Sequence, residues 1–391
     1  MRILLINYMD TLTPGGINTV VRELAIHLAR KGYQVFVFNP SWTRKKLWYN
    51  KYGKLIIVKG YGYNSSLYGL SMRNLILLLE LIRSVKPNII HFHGFHNLFI
   101  PLGIFLTKLF YPHIPIVFSP HYAPGGHSSS LTRKIFRLYS AIIGKLSYKL
   151  VDAMVCGSLF ELKSFINFTG INETQKINLI PHGVSYKQTL CNEYTKTASR
   201  YDKISETFKK PLRLLYVGYL FEYKGVQDAI KALSILNREH GINAILTIIG
   251  EGPYKQKLIN LAKQLGIEHR IIWKSFMKRE ELIKEYCQAD VLVFPSRGEM
   301  FGLVAYEALA LGKPTLVAKR ASLIECCYNY SSCICVKNSE ELANKILDLL
   351  KAGLNATSSK PPSSWNEISD RYLKLYEKLS EARNTLKRIM D

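Results

Sequence analysis

Short apolar runs alternate with longer helical patterns from Arg2 to Ile180, stop, and resume at Leu212. Strand-like runs fall at Arg2–Ile6, Gln34–Phe38, Leu55–Val58, Asn88–His91, Ile116–Ser119, Ala153–Cys156 and Asn178–Ile180. Helical spacing fills the gaps near Asn18–Lys31, Gly69–Ser84, Leu98–Leu109, Leu131–Lys149 and Leu159–Phe168, with Asn18 as N-cap and Gly32 as stop of the first. A strand, a helix and a second strand in succession pack as a parallel sheet covered by helices, so the pattern predicts a doubly wound α/β domain. The alternation resumes with strands at Leu212–Val217, Ile245–Ile249, Ile271–Trp273, Val291–Phe294 and Thr315–Ala318. Two Rossmann-like domains are expected, residues 1–184 and 212–364, joined by a polar linker, 185–211. The stretch Ala352–Ser364 reads as a polar flexible segment, and residues 365–391 as one terminal helix.

The chain has 391 residues and is 48% hydrophobic, enough for a core in each half. No run of 18 uncharged apolar residues occurs; Leu98–Phe118 is broken by Lys108, Pro112 and Pro115. The first residues enter a strand pattern without a signal-peptide pattern, so a cytoplasmic location is expected. The seven cysteines form no obvious disulfide framework; Cys326, Cys327, Cys333 and Cys335 cluster in sequence and read as buried or edge-strand residues rather than a zinc site.

Net charge is +24, unevenly spread. Residues 1–190 carry 22 Lys and Arg against 6 Asp and Glu, and between Leu24 and Val151 the sole acid is Glu80. Such a balance points to an anionic partner for the first half. Two stretches there suit an anionic membrane surface. In Leu131–Leu150, Leu131, Ile135, Leu138, Ile142 and Leu146 follow helical spacing beside Arg133, Arg137, Lys145 and Lys149. Trp42–Tyr52 mixes aromatic and basic residues, as either a membrane-interface loop or a nucleic-acid-binding loop does. The bland alternative for Leu131–Leu150 is an ordinary surface helix whose apolar side packs inward.

Chemistry-bearing residues gather at the ends of expected strands. Gly15 and Gly16 lie between the first strand and helix, where glycine lets backbone N–H groups approach a phosphate. His121 follows the strand Ile116–Ser119, with His91, His93, His96 and His127 nearby in sequence. A histidine at that place can donate to a sugar hydroxyl or stabilise charge near neutral pH. Gly218 ends the strand Leu212–Val217, and Lys224 opens the next helix, a place disfavoured for a cation unless an anion such as a diphosphate binds there. After the run Val291–Phe294, Glu299 and Glu307 flank a helix start. The N–H groups of Met300, Phe301 and Gly302 suit an anion or sugar oxygens there. Glu307 sits inside an apolar helix (about Gly302 to Leu311) and needs a hydrogen-bond partner. Together these describe a site for a polyhydroxylated anionic ligand.

The combination of Gly15-Gly16, His121, YVGYLFEYKG (Tyr216–Gly225), GEGP (Gly250–Pro253), PHGV (Pro181–Val184) and EMFGLVAYE (Glu299–Glu307) resembles the family 4 retaining glycosyltransferases of the GT-B fold. The resemblance implies two Rossmann-like domains facing each other across a cleft, with the terminal helix crossing back to the first. It implies a nucleotide-diphosphate hexose donor, GDP- or UDP-linked, held mainly by the second domain. Glu307 would bind the ribose diol, Glu299 and the Met300–Gly302 amides the sugar, and Lys224 with Gly16 the diphosphate, while Gly15 and Gly218 let the backbone approach. His121 would contact the transferred sugar. No metal or other cofactor is expected, because lysine and helix dipoles can take over a cation's task. The positive charge and basic helix of the first half suggest a lipid-linked or other glycan precursor as acceptor, met peripherally at the inner membrane face. Tyr219 stands where the family usually has an arginine, and PHGV replaces the commoner PNGV. The alternatives are a GT-B nucleotide-sugar epimerase and, from a different class, a basic nucleic-acid-binding protein; no nucleic-acid partner is expected.

Overall fold

The computed structural model describes residues 1–40, 48–49, 54–60, 71–122, 130–186, 190–191, 210–354 and 361–390. The chain divides into two compact units, Met1–Gly183 with Trp365–Asp391, and Val184–Ser364.

The first unit is built on β1 (Arg2–Asn7), β2 (Gln34–Asn39), β3 (Trp48–Tyr49), β4 (Leu55–Lys59), β5 (Ile89–His93), β6 (Ile116–Ser119), β7 (Ala153–Cys156) and β8 (Ile177–Leu179). They form one sheet in the order β3-β4-β2-β1-β5-β6-β7-β8, parallel except for the short β3. The central strands are buried on both faces; β1 and β6 are mainly apolar runs, whereas β5 (IIHFH) carries two buried histidines. The helices are α1 (Gly16–Arg30), α2 (Met72–Val85), α3 (Phe99–Phe110), α4 (Ser130–Tyr139), α5 (Lys145–Leu150) and α6 (Leu159–Thr169). Their inward stripes follow helical spacing; α1 buries Val20, Val21, Leu24, Ala25 and Leu28.

Three local expectations differ. Asn18 is not a cap: α1 starts at Gly16, and the Asn18 side chain is buried, bonded to Asn7 and Thr13. The helix expected over Leu131–Lys149 is interrupted by a π turn, Ser140–Gly144, where the Ser140 hydroxyl donates to the Phe136 carbonyl at 2.7 Å. Ser185–Pro211, expected as linker, places its described residues Tyr186 and Cys191 in the core of the second unit. Cys191 is disulfide-bonded to Cys287, a link that chain spacing does not reveal. Most of Trp42–Tyr52 and His127 lie outside the described residues.

The terminal helix Trp365–Met390 belongs to the first unit and buries Trp365, Ile368, Tyr372, Leu373 and Tyr376, spaced by three or four. Lys31 bonds Asp370 at 2.7 Å, Tyr33 bonds Glu377 at 2.9 Å, and Arg383 reaches Asp152 at 2.5 Å.

The second unit is a six-stranded, all-parallel sheet of β9 (Leu212–Val217), β10 (Ala244–Ile249), β11 (Ile271–Lys274), β12 (Val291–Phe294), β13 (Thr315–Ala318) and β14 (Cys333–Val336), in the order β11-β10-β9-β12-β13-β14. Strand order reverses between β9 and β12 here, and between β1 and β5 in the first unit. Ligands of open α/β sheets bind at the carboxyl ends of the strands that flank such a reversal.

Candidate active site

In the second unit, the loops leaving β9 and β12 emerge side by side because those strands are neighbours. The first loop ends in a single 3-10 turn, Glu222–Lys224, which presents Lys224; the second carries Glu299. Lys224 Nζ donates to Glu299 Oε1 at 2.5 Å, and both side chains are largely shielded from solvent. Burial pushes the Lys224 ammonium down, but the charge of Glu299 and its hydrogen bond outweigh that and hold the lysine above its ordinary value. Ser322 Oγ donates to the Glu299 carbonyl at 3.0 Å, which anchors the loop from below.

Met300, Phe301 and Gly302 form the turn before the helix Leu303–Ala310, one residue later than expected. Gly302 has φ 83°, a conformation that residues with a side chain rarely adopt, and a Cβ there would lie 2.5 Å from Leu323 Cδ2. Phe301 is buried and stacks on Tyr306 at 4.2 Å. Glu307, on the same helix, accepts a hydrogen bond at 3.1 Å from the hydroxyl of the fully buried Tyr286. Spacing alone does not reveal Tyr286 as the partner that Glu307 requires. Gly218, with φ 151°, packs against the GEGP loop so closely that a Cβ on Gly250 would stand 1.9 Å from the Gly218 carbonyl oxygen. Tyr219 packs edge-on against Phe276 at 4.9 Å, in a half-exposed aromatic row with Phe221 and Tyr223. Arg297, the base nearest in sequence to Glu299, is paired with Asp228 at 2.7 Å.

The first unit places its candidates at the carboxyl ends of β1, which flanks its strand reversal, and of β6, one strand beyond β5. Gly15, with φ 148°, is the residue before α1, and beside Gly16 a Cβ would meet no atom within 4 Å. Asn18 braces this glycine turn through Thr13. His121 follows β6 in a left-handed conformation, φ 48°, uncommon for a residue with a side chain. Glu161 holds that bend: its carboxylate accepts from the Tyr122 amide at 3.0 Å and the Gly157 amide at 2.7 Å. Burial raises Glu161 to about 7, against the pull of those amides.

His121 Nε2 lies 3.1 Å from His93 Nδ1, so one ring donates and the other accepts. The His91 and His93 rings are 3.9 Å apart, and His182 is 5.6 Å from His121 on the other side. His182 in turn stacks on Trp365 at 6.3 Å, and His91 bonds the Tyr376 hydroxyl at 2.6 Å. Burial, reinforced by the neighbouring rings, holds His93 and His121 well below the ordinary 6.5, and burial takes His91 to about 3 and His182 to about 4. His121 is thus a neutral hydrogen-bonding group rather than a cation. Among the described residues, no group of three or more His, Cys, Asp or Glu has the arrangement of a metal site.

Two family models match the chain: "Glycosyltransferase Family 4" over residues 14–188 and "Glycosyl transferases group 1" over residues 198–369. An uncharacterised glycosyltransferase of Methanocaldococcus jannaschii is 39% identical over 112 residues, 29% of this chain and 28% of the relative. A second uncharacterised glycosyltransferase of that organism is 24% identical over 398 aligned positions, covering 93% of this chain and 95% of the relative. Glycogen synthase of Mycobacterium tuberculosis is 40% identical over 119 residues, 30% of this chain and 28% of the relative. The first and third of these matches thus span under a third of the relative's length. Among solved structures, sucrose-phosphate synthase of Thermosynechococcus elongatus superposes with a TM-score of 0.72 at 17% identity, over 100% of this chain and 98% of that one. HepE of Anabaena, in complex with UDP and glucose, superposes with 0.69 at 16% identity, over 98% of this chain and 100% of that one.

Proposed function

The chain belongs to the family 4 glycosyltransferases and has the GT-B fold, and on that basis we propose that it transfers a hexose, with retention, from a GDP- or UDP-linked donor to a glycan or lipid-linked acceptor. The Lys224–Glu299 pair, at the strand reversal and one short loop from Glu307, is the observation that carries this reading. When the donor arrives, Lys224 is the cation for the leaving diphosphate. Glu299 is released to accept from sugar hydroxyls, and the two oxygens of Glu307 suit the two hydroxyls of a ribose. The Met300–Gly302 turn faces the sugar, and Lys224 with the backbone at the glycines supplies the positive potential that a divalent metal would otherwise bring. In the first unit, Gly15 and Gly16 are proposed for the donor phosphates. His121, held neutral, is proposed to act on the transferred sugar as a hydrogen-bond partner. The UDP and glucose held by HepE support a sugar nucleotide as ligand class.

The acceptor side of the proposal rests on the first unit's surface. In α4, the π turn and α5, Ile135, Leu138, Ile142 and Leu146 are 59%, 64%, 58% and 47% exposed, so the stripe does not pack inward as in an ordinary surface helix. Lys134, Arg137, Lys145 and Lys149 are exposed on the same segment, and the adjoining α3 exposes Phe105, Leu109 and Phe110. An apolar stripe bordered by bases suits an anionic bilayer surface. No helix among the described residues is long and apolar enough to cross a membrane.

The test is a thermal-shift screen of the full chain against UDP-, GDP- and ADP-sugars, because a ligand that binds the folded state alone raises its melting temperature. One donor class should shift the wild type and shift Glu307→Ala much less. If no sugar nucleotide shifts the wild type at millimolar concentration, the donor reading fails.

A further inference from the structure

Cys333 and Cys335 are two apart on the edge strand β14 and so face the same side of the sheet. Over that side lies the helix Leu323–Asn329, which brings Cys327 Sγ to 2.8 Å from Cys335 Sγ and 3.2 Å from Cys333 Sγ. Cys327 and Cys335 are partly exposed, whereas Cys333 and Cys326 are buried. The sulfurs of Cys327 and Cys335 thus converge at a place partly open to solvent. We propose that Cys327 and Cys335 form a thiol–disulfide redox site, with Cys327 as the attacking and Cys335 as the resolving residue.

The local chemistry supports that order. The thiols of Cys333 and Cys335 hydrogen-bond to the Cys327 sulfur and hold its pKa below the ordinary thiol value. Cys335 is pushed up by the bond it donates to Cys327. The isolated, buried Cys156 is pushed up by desolvation and has no such neighbour among the free cysteines. A partly exposed thiolate beside a resolving thiol is the arrangement of a redox-responsive pair.

The oxidant is a small-molecule disulfide. The Cys327 thiolate attacks one of its sulfurs, the S–S bond breaks, and one small thiolate leaves, to be protonated by water. Cys335 then loses its proton to solvent and attacks Cys327 Sγ, expelling the second small thiolate. Two electrons pass to the small disulfide, which leaves as two thiols, and one Cys327–Cys335 disulfide remains.

This bond would tie the helix to β14 and thereby act on the donor loop. Ser322, just before the helix, bonds the Glu299 carbonyl, and Leu323, its first residue, packs against Gly302. That consequence rests on the donor reading; the thiol chemistry does not.

The reduced full-length chain is exposed to oxidised glutathione, remaining thiols are alkylated, and peptides are mapped by mass spectrometry. The expected result is a Cys327–Cys335 cross-link, a glutathione adduct retained on Cys327 in Cys335→Ser, and reduced Cys335 in Cys327→Ser. In the untreated wild type, Cys327 should alkylate at least about tenfold faster than Cys156. Alkylation of Cys327 no faster than Cys156, or a Cys327–Cys333 cross-link in place of the expected one, would overturn the proposal. Donor-induced melting shifts of the oxidised wild type and of identically oxidised Cys327→Ser, both with Cys191–Cys287 closed, read the coupling separately: a difference supports it, and equal shifts remove it while the cross-link still stands.

Discussion

Lys224 and Glu299, 75 residues apart in the chain, meet at 2.5 Å at the carboxyl ends of the adjacent strands β9 and β12. Glu299 keeps Lys224 charged in a shielded place, and the pair can open for a ligand that replaces either partner. Removing one leaves the other's charge uncompensated. Lys224→Ala and Glu299→Ala should each lower kcat/KM for transfer by roughly 10²–10³-fold, the size found when one charge-stabilising group is lost from an active site. The double variant should be little worse than the worse single one. Steady-state kinetics with the donor from the thermal-shift screen decides this; fully multiplicative losses would mean that the two act independently.

Tyr286→Phe removes the hydrogen bond to Glu307 and little else. A hydrogen bond to a carboxylate contributes about 1.5–3 kcal/mol, so donor Kd should rise by up to roughly 10–150-fold. Titration calorimetry should show this with the fold intact. An unchanged Kd would separate Glu307 from donor binding.

Acid should destabilise the first unit. His91, His93, His121 and His182 all have folded pKa values below their ordinary 6.5, about 3 for His91 and about 4 for His182. Unfolding lets these rings take up protons. Their contribution is therefore complete above pH 6.5 and declines as the pH falls toward 4 and then 3. Glu161 runs the other way: raised from 4.5 to about 7, it favours the folded state below pH 4.5 and loses that contribution as the pH rises through 7. Four rings outweigh one carboxyl between pH 6.5 and 4.5, so the melting temperature should fall across that interval. A constant or rising melting temperature there would contradict the buried neutral chain of histidines.

The Cys191–Cys287 disulfide closes a loop of 96 residues in sequence separation and joins a segment of the expected linker to the helix that carries Tyr286. Cys191→Ser should cost about 2–5 kcal/mol, seen as a lower melting temperature of the second unit. Reductant should produce a similar loss in the wild type and none in the variant.

Replacing Leu138 and Ile142 together by aspartate puts two charges on the exposed apolar stripe without disturbing the core. Co-flotation with vesicles containing anionic phospholipid should drop several-fold at low salt, while donor-induced melting shifts stay unchanged. The wild type should also dissociate as salt rises, because the basic border is screened beyond about 10 Å at 0.1 M. Wild-type protein that stays at the bottom of the gradient at low salt would remove the membrane proposal.

Much of the second unit is legible in the order of its residues. Strand runs such as Leu212–Val217, Val291–Phe294 and Thr315–Ala318 coincide with β9, β12 and β13, because the buried positions of a strand covered on both faces are mainly apolar. The requirement for a partner at Glu307 is legible too, since a carboxylate among alanines and leucines must be hydrogen-bonded. The identity of that partner, Tyr286, is not. Glu161 is equally hidden, because its task is to hold backbone amides around His121, and nothing in a lone glutamate on a helix announces that. The exposure of Ile135, Leu138, Ile142 and Leu146 does not follow from their spacing, which is the same for an inward and an outward stripe.

Local pattern is therefore enough for the two doubly wound halves and for the loops that hold Lys224, Glu299, Glu307 and His121, because apolar periodicity and glycine placement act over a few neighbouring residues. Which of those residues face one another is a matter of long-range packing. Sheet order sets β9 beside β12 and His93 beside His121, and the packing of one helix on β14 brings Cys327 to Cys335. Such meetings depend on which strands pair across long stretches of chain. That pairing is settled by burial of the whole core rather than by any local signal.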